Sequence, residues 1–159
     1  MLSDKIKGLK QLSLITRRLQ AQGKRVVFTN GCFDLLHFGH AQYLAQAKKK
    51  GDILIVAVNS DRSVKKIKGP KRPIIDQKNR LGLIASLECV DYVLVFNQDT
   101  PLRVIKTLQP DVLVKGADWN KDSIVGGEEV CAKGGRVSVI PLVKGLSTTN
   151  LIKKISGKF

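Results

Sequence analysis

The apolar residues of this chain follow two patterns that alternate along its length. Short unbroken apolar runs are typical of strands buried on both faces, and apolar residues three or four apart are typical of helices. The second pattern predicts a first helix from Leu9 to Leu19. The runs predict strands near residues 25–29, 53–58, 90–96, 112–114 and 137–140, and helices near 41–50, 76–88, 124–133 and 148–155, with another beginning at Thr100-Pro101.

This alternation of strands and helices predicts the fold class. Strands that are apolar throughout and separated by helices indicate a parallel sheet covered on both faces. The expected fold is α/β, a single Rossmann-like domain with a five-stranded parallel sheet and helices on both faces. The 159 residues are enough for one domain with a substantial core. We expect one domain over residues 1–159, with residues 1–24 as an N-terminal helical extension.

Polar residues cluster directly after four of the predicted strands. The clusters are Thr29–His40, Asn59–Arg72, Lys115–Trp119 and Gly145–Thr149. Ligands of open parallel sheets bind beyond the carboxyl ends of the strands, so the four clusters are expected to meet at one crevice. The sequence contains neither G-x-G-x-x-G nor the P-loop pattern G-x-x-x-x-G-K-[ST], which disfavours hydride transfer and P-loop kinase chemistry.

The formal net charge of +15 is unevenly distributed. Residues 62–72 contain six basic side chains and no acidic one, and Gly69-Pro70 lies among them, which favours a loop that closes over phosphates. Lys48–Lys50 is interpreted as a solvated helix end. Aromatic residues make up only 5% of the chain, so no stacking platform for single-stranded nucleic acid is evident.

The cysteines and the absence of long apolar runs bear on the cellular setting. Cys32, Cys89 and Cys131 are scattered and show no CxxC spacing, which predicts free, mostly buried thiols and argues against a disulfide framework or a structural zinc site. No apolar run approaches the length of a membrane span, and the first residues lack the layout of a signal peptide. We expect a cytoplasmic protein without membrane insertion.

The only two histidines, His37 and His40, lie three residues apart at a predicted strand-to-helix junction. Helix N-termini have free N–H donors and partial positive charge, so an anion such as phosphate is the favoured ligand, with both imidazoles as hydrogen-bond donors. Gly39 would then let the phosphate approach the backbone. A metal site using Asp34 as a third ligand is a weaker alternative, and a structural histidine pair is another.

The chain resembles the nucleotidyltransferases with an HxGH signature and, within them, the adenylyltransferases that act on D-glycero-D-manno-heptose 1-phosphate. The resemblance extends from about Leu9 to Ile155. It rests on five blocks in order: Phe28–Asp34 with the two histidines, Val58–Asp61, Lys68–Ile74, Asp111–Gly116 and Ser147–Thr149.

The resemblance implies a reaction in which an oxygen of a phosphorylated sugar attacks the α-phosphorus of a nucleoside triphosphate and pyrophosphate leaves. Positioning and charge stabilisation perform the catalysis, and no protein nucleophile is needed. It implies that His37, His40 and Lys68 are catalytic. Mg²⁺ is expected as cofactor, held mainly by the nucleotide, with no metal site built by the protein.

The resemblance also assigns binding residues. Nucleotide binding is expected at Thr29, Asn30, Gly31, Cys32, Phe33, Gly39, Lys115, Gly116, Asp118, Ser147, Thr148 and Thr149. Substrate binding is expected at Asp34, Asp61, Lys65 and Arg72, although Asp34 could equally cap its turn and Asp61 a helix. Arg80 is assigned to a helix surface, with a position facing the site as the alternative.

Three functions remain open from the sequence. The leading one is transfer of AMP from ATP to the heptose 1-phosphate. The second is a CTP-dependent reaction on glycerol 3-phosphate or a similar small phosphate, which is weakened because residues 142–146 lack the arginine of those relatives. The third is a nucleic-acid-binding module with an idle site. The resemblance further suggests a homodimer and a separate sugar kinase as pathway partner.

Overall fold

A parallel five-stranded sheet forms the centre of the molecule. The computed structural model describes residues 2–117, 124–141, 143 and 145–157. The strands are β1 (Val26–Gly31), β2 (Ile53–Asn59), β3 (Tyr92–Phe96), β4 (Val112–Gly116) and β5 (Arg136–Ile140). Their order is β3-β2-β1-β4-β5, and every neighbouring pair is parallel. The predicted fold class is confirmed.

Eight helices accompany the strands in the described part of the chain. They are α1 (Leu2–Lys5), α2 (Leu9–Ala21), α3 (Phe38–Lys48), α4 (Asp61–Lys68), α5 (Gln77–Ser86), α6 (Leu102–Leu108), α7 (Gly127–Cys131) and α8 (Thr148–Ile155). Because β1 lies in the middle of the sheet and the strand order reverses between β1 and β4, the crevice for ligands is expected above these two strands.

Two apolar clusters cover the opposite faces of the sheet. Alternate residues of each strand point to opposite faces, so neighbours such as Val27 and Phe28 belong to different clusters. One cluster joins the sheet to α3 and α5, for example through Leu44 and Ile84. The other joins it to α2, α6 and α7, for example through Leu12. Burial on both faces explains why the strands are apolar throughout.

Several helix bounds differ from the sequence-based prediction. Helix α3 begins at Phe38 and not near Ala41, so that His37 occupies the N-cap position and His40 lies in the first turn. Helix α6 begins at Leu102, with Pro101 at its N-cap position, and α7 covers only Gly127–Cys131. None of these three helices has a side-chain hydrogen bond at its N-cap, so the sequence holds no capping signal for where they begin.

The basic segment 62–72 is only partly a loop, which corrects the prediction. Its first residues continue α4, because the hydroxyl of Ser60 caps the helix by accepting from the backbone N–H of Ser63. The loop begins at Gly69, whose positive φ of 94° suits glycine and ends the helix. The lysines therefore project from a short helix and from the loop after it.

The cysteines are free, as predicted, but none of them is fully buried. Cys32 and Cys89 are partly buried and Cys131 is exposed, so the expectation of mostly buried thiols is wrong. Among the described residues, no helix combines the length and the apolar composition needed to cross a bilayer.

Candidate active site

A cavity of about 570 Å³ opens at the carboxyl ends of the strands. Segments that follow all five strands line it, whereas the polar clusters predicted such segments after four of them. The turn between β1 and α3 forms its floor, and the start of α8 closes another side. The cavity is thus built mainly from backbone turns and helix starts, where unpaired N–H groups are available to a ligand.

The turn between β1 and α3 is fixed by packing on both sides. Phe33 has a positive φ of 46°, which is uncommon for a residue with a side chain, and its ring is buried. A Cβ on Gly31 would approach the Phe33 ring to 3.0 Å, so glycine allows this packing. The hydroxyls of Thr29 and Tyr43 lie 2.7 Å apart and tie β1 to α3.

His37 and His40 stack face to face above this turn. Their ring centroids are 3.9 Å apart at an interplanar angle of 20°, and Phe33 meets the His40 ring edge-on at 5.4 Å. A Cβ on Gly39 would lie 3.0 Å from two atoms of the His37 ring, so glycine lets this ring fold over the first turn of α3. The Nδ1 atoms of both histidines are buried and have no hydrogen-bond partner among the described residues.

Burial sets the protonation of the histidine pair. It lowers the pKa of His40 to about 4, with the neighbouring His37 adding to the shift and the Leu35 carbonyl opposing it. Burial also lowers the pKa of His37. Both rings are therefore neutral near pH 7, and each has one N–H donor and one acceptor nitrogen. Such a pair can donate hydrogen bonds to an anion without carrying charge itself.

Permanent cations line the other walls of the cavity. Lys68, at the end of α4, and Arg72, in the loop after it, both face the cavity. Lys115, at the end of β4, is almost completely buried and donates to the side-chain oxygen of Asn30 on β1. The site therefore combines a neutral pair of donors with positive charges around it, an arrangement suited to phosphate groups.

Asp34 connects the loop after α4 to the β1–α3 turn through hydrogen bonds and an ion pair. Its buried carboxylate accepts from Arg72 Nε and from the backbone N–H groups of Ile74 and Ile75, at 2.8 and 2.9 Å for the closest contacts. Burial raises the pKa of Asp34, but these hydrogen bonds and the Arg72 charge outweigh it and lower the pKa overall. With its oxygens used in this way, Asp34 positions the loop that bears Arg72.

Arg80 holds the turn between β1 and α3 in place. The prediction that Arg80 lies on a helix surface is wrong. Its side chain is fully buried. Its guanidinium donates to the Cys32 carbonyl, to the Ile75 carbonyl at 2.9 Å and to Asp61 Oδ1 at 2.8 Å. One side chain thus connects α5 to the β1–α3 turn, the basic loop and the start of α4. Its five donors in a rigid fork suit this task.

The start of α8 completes the cavity. Ser147 is the N-cap residue, and its hydroxyl accepts from the Asn150 N–H at 3.1 Å. Ser147, Thr148 and Thr149 all line the cavity. Helix N-termini attract anions, so this segment can bind phosphate oxygens through backbone N–H groups and hydroxyls.

Most residues predicted for the site do come together. The cavity is lined by all three residues predicted as catalytic, and by Asn30, Gly31, Cys32, Phe33, Asp34, Gly39, Arg72, Lys115, Gly116, Ser147, Thr148 and Thr149. Thr29 lies beneath the turn, Asp61 contacts Arg80, and Lys65 is exposed on α4, all outside the cavity lining. The predicted residue Asp118, like Trp119, lies outside the described residues.

Other lining residues were not named individually from the sequence, although Asn59, Ile67 and Leu146 lie within the predicted polar clusters. They are Tyr43, Asn59, Ile67, Asp99, Thr100, Pro101, Val125, Val143 and Leu146. Asn59 ends β2, and Asp99–Pro101 lies in the connection from β3 to α6, so their positions after strands could have identified them. Within the described ranges, no group of three or more His, Cys, Asp or Glu side chains is placed to hold a metal ion.

The sequence comparisons point to one family. A family model described as cytidylyltransferase-like matches residues 28–154. The chain is 54% identical over 151 residues to the bifunctional protein HldE of Geobacter sulfurreducens, covering 95% of this chain and 31% of that protein. It is 48% identical over 156 residues to the bifunctional protein HldE of Magnetococcus marinus. The chain thus spans about a third of the length of these relatives.

Solved structures share the fold. A lipopolysaccharide core biosynthesis protein from Thermoplasma volcanium is 33% identical, with a TM-score of 0.63, and the match covers 77% of this chain and 98% of that one. A pantoate-beta-alanine ligase from Francisella tularensis has a TM-score of 0.58 at 15% identity, over 95% of this chain and 76% of that one, and it indicates a common fold only.

Proposed function

We propose, from the premise that this chain belongs to the cytidylyltransferase-like family and is a nucleotidyltransferase, that it is an adenylyltransferase for a sugar 1-phosphate. The proposed substrates are ATP and D-glycero-β-D-manno-heptose 1-phosphate, and the products are ADP-heptose and pyrophosphate. The observation that carries the proposal is the stacked, neutral pair His37 and His40 beside cationic walls in one cavity.

In the proposed reaction, an oxygen of the sugar phosphate attacks the α-phosphorus of ATP. A bond forms between this oxygen and the α-phosphorus, while the bond from the α-phosphorus to the oxygen bridging to the β-phosphorus breaks. Pyrophosphate leaves with the electron pair. No covalent intermediate on the protein is required, so catalysis consists of positioning and of stabilising charge in the transition state.

The histidine pair is assigned to the phosphate oxygens where charge develops. Neutral imidazoles donate hydrogen bonds from a fixed, partly desolvated position, and donors held in this way need no reorganisation during the reaction. The stacking of His37 on His40 and the packing of Phe33 against His40 hold the rings in place.

The cations and the start of α8 are assigned to the remaining phosphate charge. Lys68 and Arg72 supply permanent positive charge at the cavity wall. The first backbone N–H groups of α8, with the hydroxyls of Thr148 and Thr149, are suited to further phosphate oxygens. Lys115 and Gly116, at the end of β4, are assigned to the nucleoside.

Magnesium is proposed to enter with ATP as part of the substrate. The cavity carboxylates among the described residues are Asp34 and Asp99, and each already forms an ion pair, with Arg72 and Lys66. These residues do not fit a site in which the protein alone holds the ion. Magnesium commonly binds through substrate phosphates and water with few protein ligands, and it neutralises charge on the triphosphate.

The proposal of ATP and the heptose phosphate as substrates is supported by similarity to other proteins and not by the geometry of the cavity. The sequence motifs resemble the heptose 1-phosphate adenylyltransferases, and a solved relative is described as a lipopolysaccharide core biosynthesis protein. The other relatives carry the words "bifunctional protein" and are about three times as long as this chain.

A nucleotide and acceptor panel tests the proposal. The purified chain is incubated with ATP, CTP, GTP or UTP and with heptose 1-phosphate or glycerol 3-phosphate, and released pyrophosphate and the nucleotide product are measured. We expect fast turnover only with ATP and the heptose phosphate. Turnover of CTP with glycerol 3-phosphate would replace the assignment. Salt-sensitive nucleic-acid binding without pyrophosphate release would support a binding module instead.

A further inference from the structure

One side of the cavity has no assignment in the proposed reaction. It lies above β2 and β3 and is lined by Asn59, Ile67, Asp99, Thr100 and Pro101. The residues assigned to the nucleoside follow β4, the start of α8 follows β5, and the histidines follow β1. Because the strand order is β3-β2-β1-β4-β5, these nucleotide assignments occupy the centre and one side of the sheet edge, and on the β2–β3 side only Lys68 and Arg72 are assigned, to phosphate charge. The space over β2 and β3 remains for the acceptor.

The polar groups on this side differ in charge from those around the histidines. Asp99 forms an ion pair with Lys66, and their side chains are 63% and 67% exposed. The pair has no net charge, and Asp99, which lines the cavity while Lys66 does not, offers carboxylate acceptors. The hydroxyl of Thr100 adds a group that both donates and accepts. Such a set favours neutral, hydroxyl-rich ligands over phosphate.

Asn59 extends this polar surface inward. It is 4% exposed, and its Nδ2 donates to the Ser63 hydroxyl at 2.9 Å. Its side-chain oxygen has a 4.0 Å contact with the Cys32 thiol, which is a weak donor. An amide oxygen with so weak a partner can accept a further hydrogen bond from a ligand hydroxyl. Ile67 and Pro101 provide apolar surface for the carbon atoms of the ligand.

We infer that the segment Asp99–Pro101, with Asn59, binds the hydroxyl-bearing end of the acceptor and selects acceptors by the hydroxyls farthest from their phosphate. The inference rests on the proposed function and deepens it. The acceptor phosphate lies towards Lys68 and the histidines, and the carbon chain extends over β2 and β3. A carboxylate that accepts from substrate hydroxyls discriminates against analogues that lack them, since its hydrogen bonds are then unmade.

The test compares two acceptors that differ at this end. Heptose 1-phosphate has a seventh carbon and its hydroxyl, and mannose 1-phosphate lacks both. Asp99→Ala is expected to lower kcat/KM for the heptose phosphate about 10–100-fold, mainly through KM, since a hydrogen bond to a charged group contributes on that scale. The KM for ATP and the kcat/KM for mannose 1-phosphate should stay within about 2-fold of wild type, since neither substrate is assigned a contact with Asp99.

Two further variants distinguish the loss of acceptor recognition by Asp99 from the loss of the Lys66–Asp99 ion pair. Lys66→Met removes the partner and retains the carboxylate, so acceptor selectivity should persist. Glu129→Gln breaks the Lys106–Glu129 pair, which spans 3.3 Å outside this cavity, and should leave all kinetic constants unchanged. Thermal melting of each variant checks that it is folded.

The outcomes distinguish the inference from the function on which it rests. If wild type transfers AMP to the heptose phosphate but Asp99→Ala affects both acceptors equally or raises the KM for ATP, the inference alone fails. If folded wild type releases no pyrophosphate with ATP and the heptose phosphate, the proposed function fails and the inference with it. A loss of discrimination confined to the acceptor supports both.

Discussion

The histidines His37 and His40 line the same cavity as the cations Lys68 and Arg72. The two pairs differ in charge and in the way in which their side chains are held. The imidazoles are stacked, partly buried and neutral, because desolvation lowers the pKa values of both. Lys68 is exposed at the end of a short helix, and Arg72 belongs to a loop. One region offers rigid donors without charge, and the other offers charge on longer side chains.

The two regions are therefore suited to different parts of the reaction. Donors fixed by packing act on charge that develops in the transition state, since they need no movement to do so. An exposed cation such as Lys68 attracts phosphates over a longer range, but salt screens it, whereas the Arg72 guanidinium is mostly buried and paired with Asp34. We therefore expect loss of the histidines to affect mainly kcat, and loss of the cations to affect substrate affinity and its dependence on ionic strength.

The largest effect is expected from the histidine pair. His40→Ala should lower kcat about 10²–10³-fold, the usual result of removing one positioned donor from a transition state. Steady-state pyrophosphate release measures it. His40→Asn and His40→Gln retain a neutral N–H donor and should recover part of the rate. Near-normal turnover of a folded His40→Ala variant would remove His40 from the mechanism.

A smaller effect is expected from the cationic wall. Lys68→Met should lower kcat/KM for ATP about 10–100-fold, the range of a hydrogen bond to a charged group. The rate should also depend less steeply on salt than in wild type, as titration with potassium chloride would show. Lys71→Met removes an equally mobile charge that does not line the cavity. Equal losses of kcat/KM for ATP in the two variants would mean that the effect comes from the net charge of the protein surface and not from Lys68 in the cavity.

The smallest expected effect is on the pH dependence of the free energy of unfolding. In the unfolded chain, histidine binds its proton near pH 6.5, whereas His40 in the folded protein does so only near pH 4. The unfolded state therefore holds more protons in this window, so the free energy of unfolding is highest above pH 6.5 and falls as the pH drops towards 4.

Urea unfolding between pH 7 and pH 4 measures this dependence, and His40→Gln should flatten it. Asp34 acts in a lower window, because its lowered pKa removes stability only as the pH falls below its ordinary value of 3.8. A wild-type unfolding free energy that does not change between pH 6.5 and pH 4 would contradict the burial of the histidine pair.

The sheet and the β1–α3 turn could be predicted because their causes are local. Apolar runs define buried strands, and the spacing of His37, Gly39 and His40 places both rings at a helix start. Parallel topology then brings the clusters after each strand to one edge. The helix caps at Ser60, Asp76 and Ser147 have an equally local cause, since each side chain accepts from an N–H three residues ahead.

The partners of buried polar groups could not be predicted in this way. Arg80 contacts the Cys32 carbonyl 48 residues away, and Asp34 contacts Ile74 and Ile75 across 40 and 41 residues. A charged side chain on a helix is usually exposed, so the burial of Arg80 could not be expected from its position on α5. Only the folded chain brings three carbonyl and carboxylate oxygens around one guanidinium.

Helix α8 has a consequence for how long a nucleotide stays bound. It contains no fully buried residue, yet its first turn lines the cavity. A segment with few buried contacts opens locally at a small cost in free energy, without unfolding of the sheet beneath it. The residence time of a triphosphate would then follow the fraying of this helix, while the rate of the chemical step follows the rigid turn between β1 and α3.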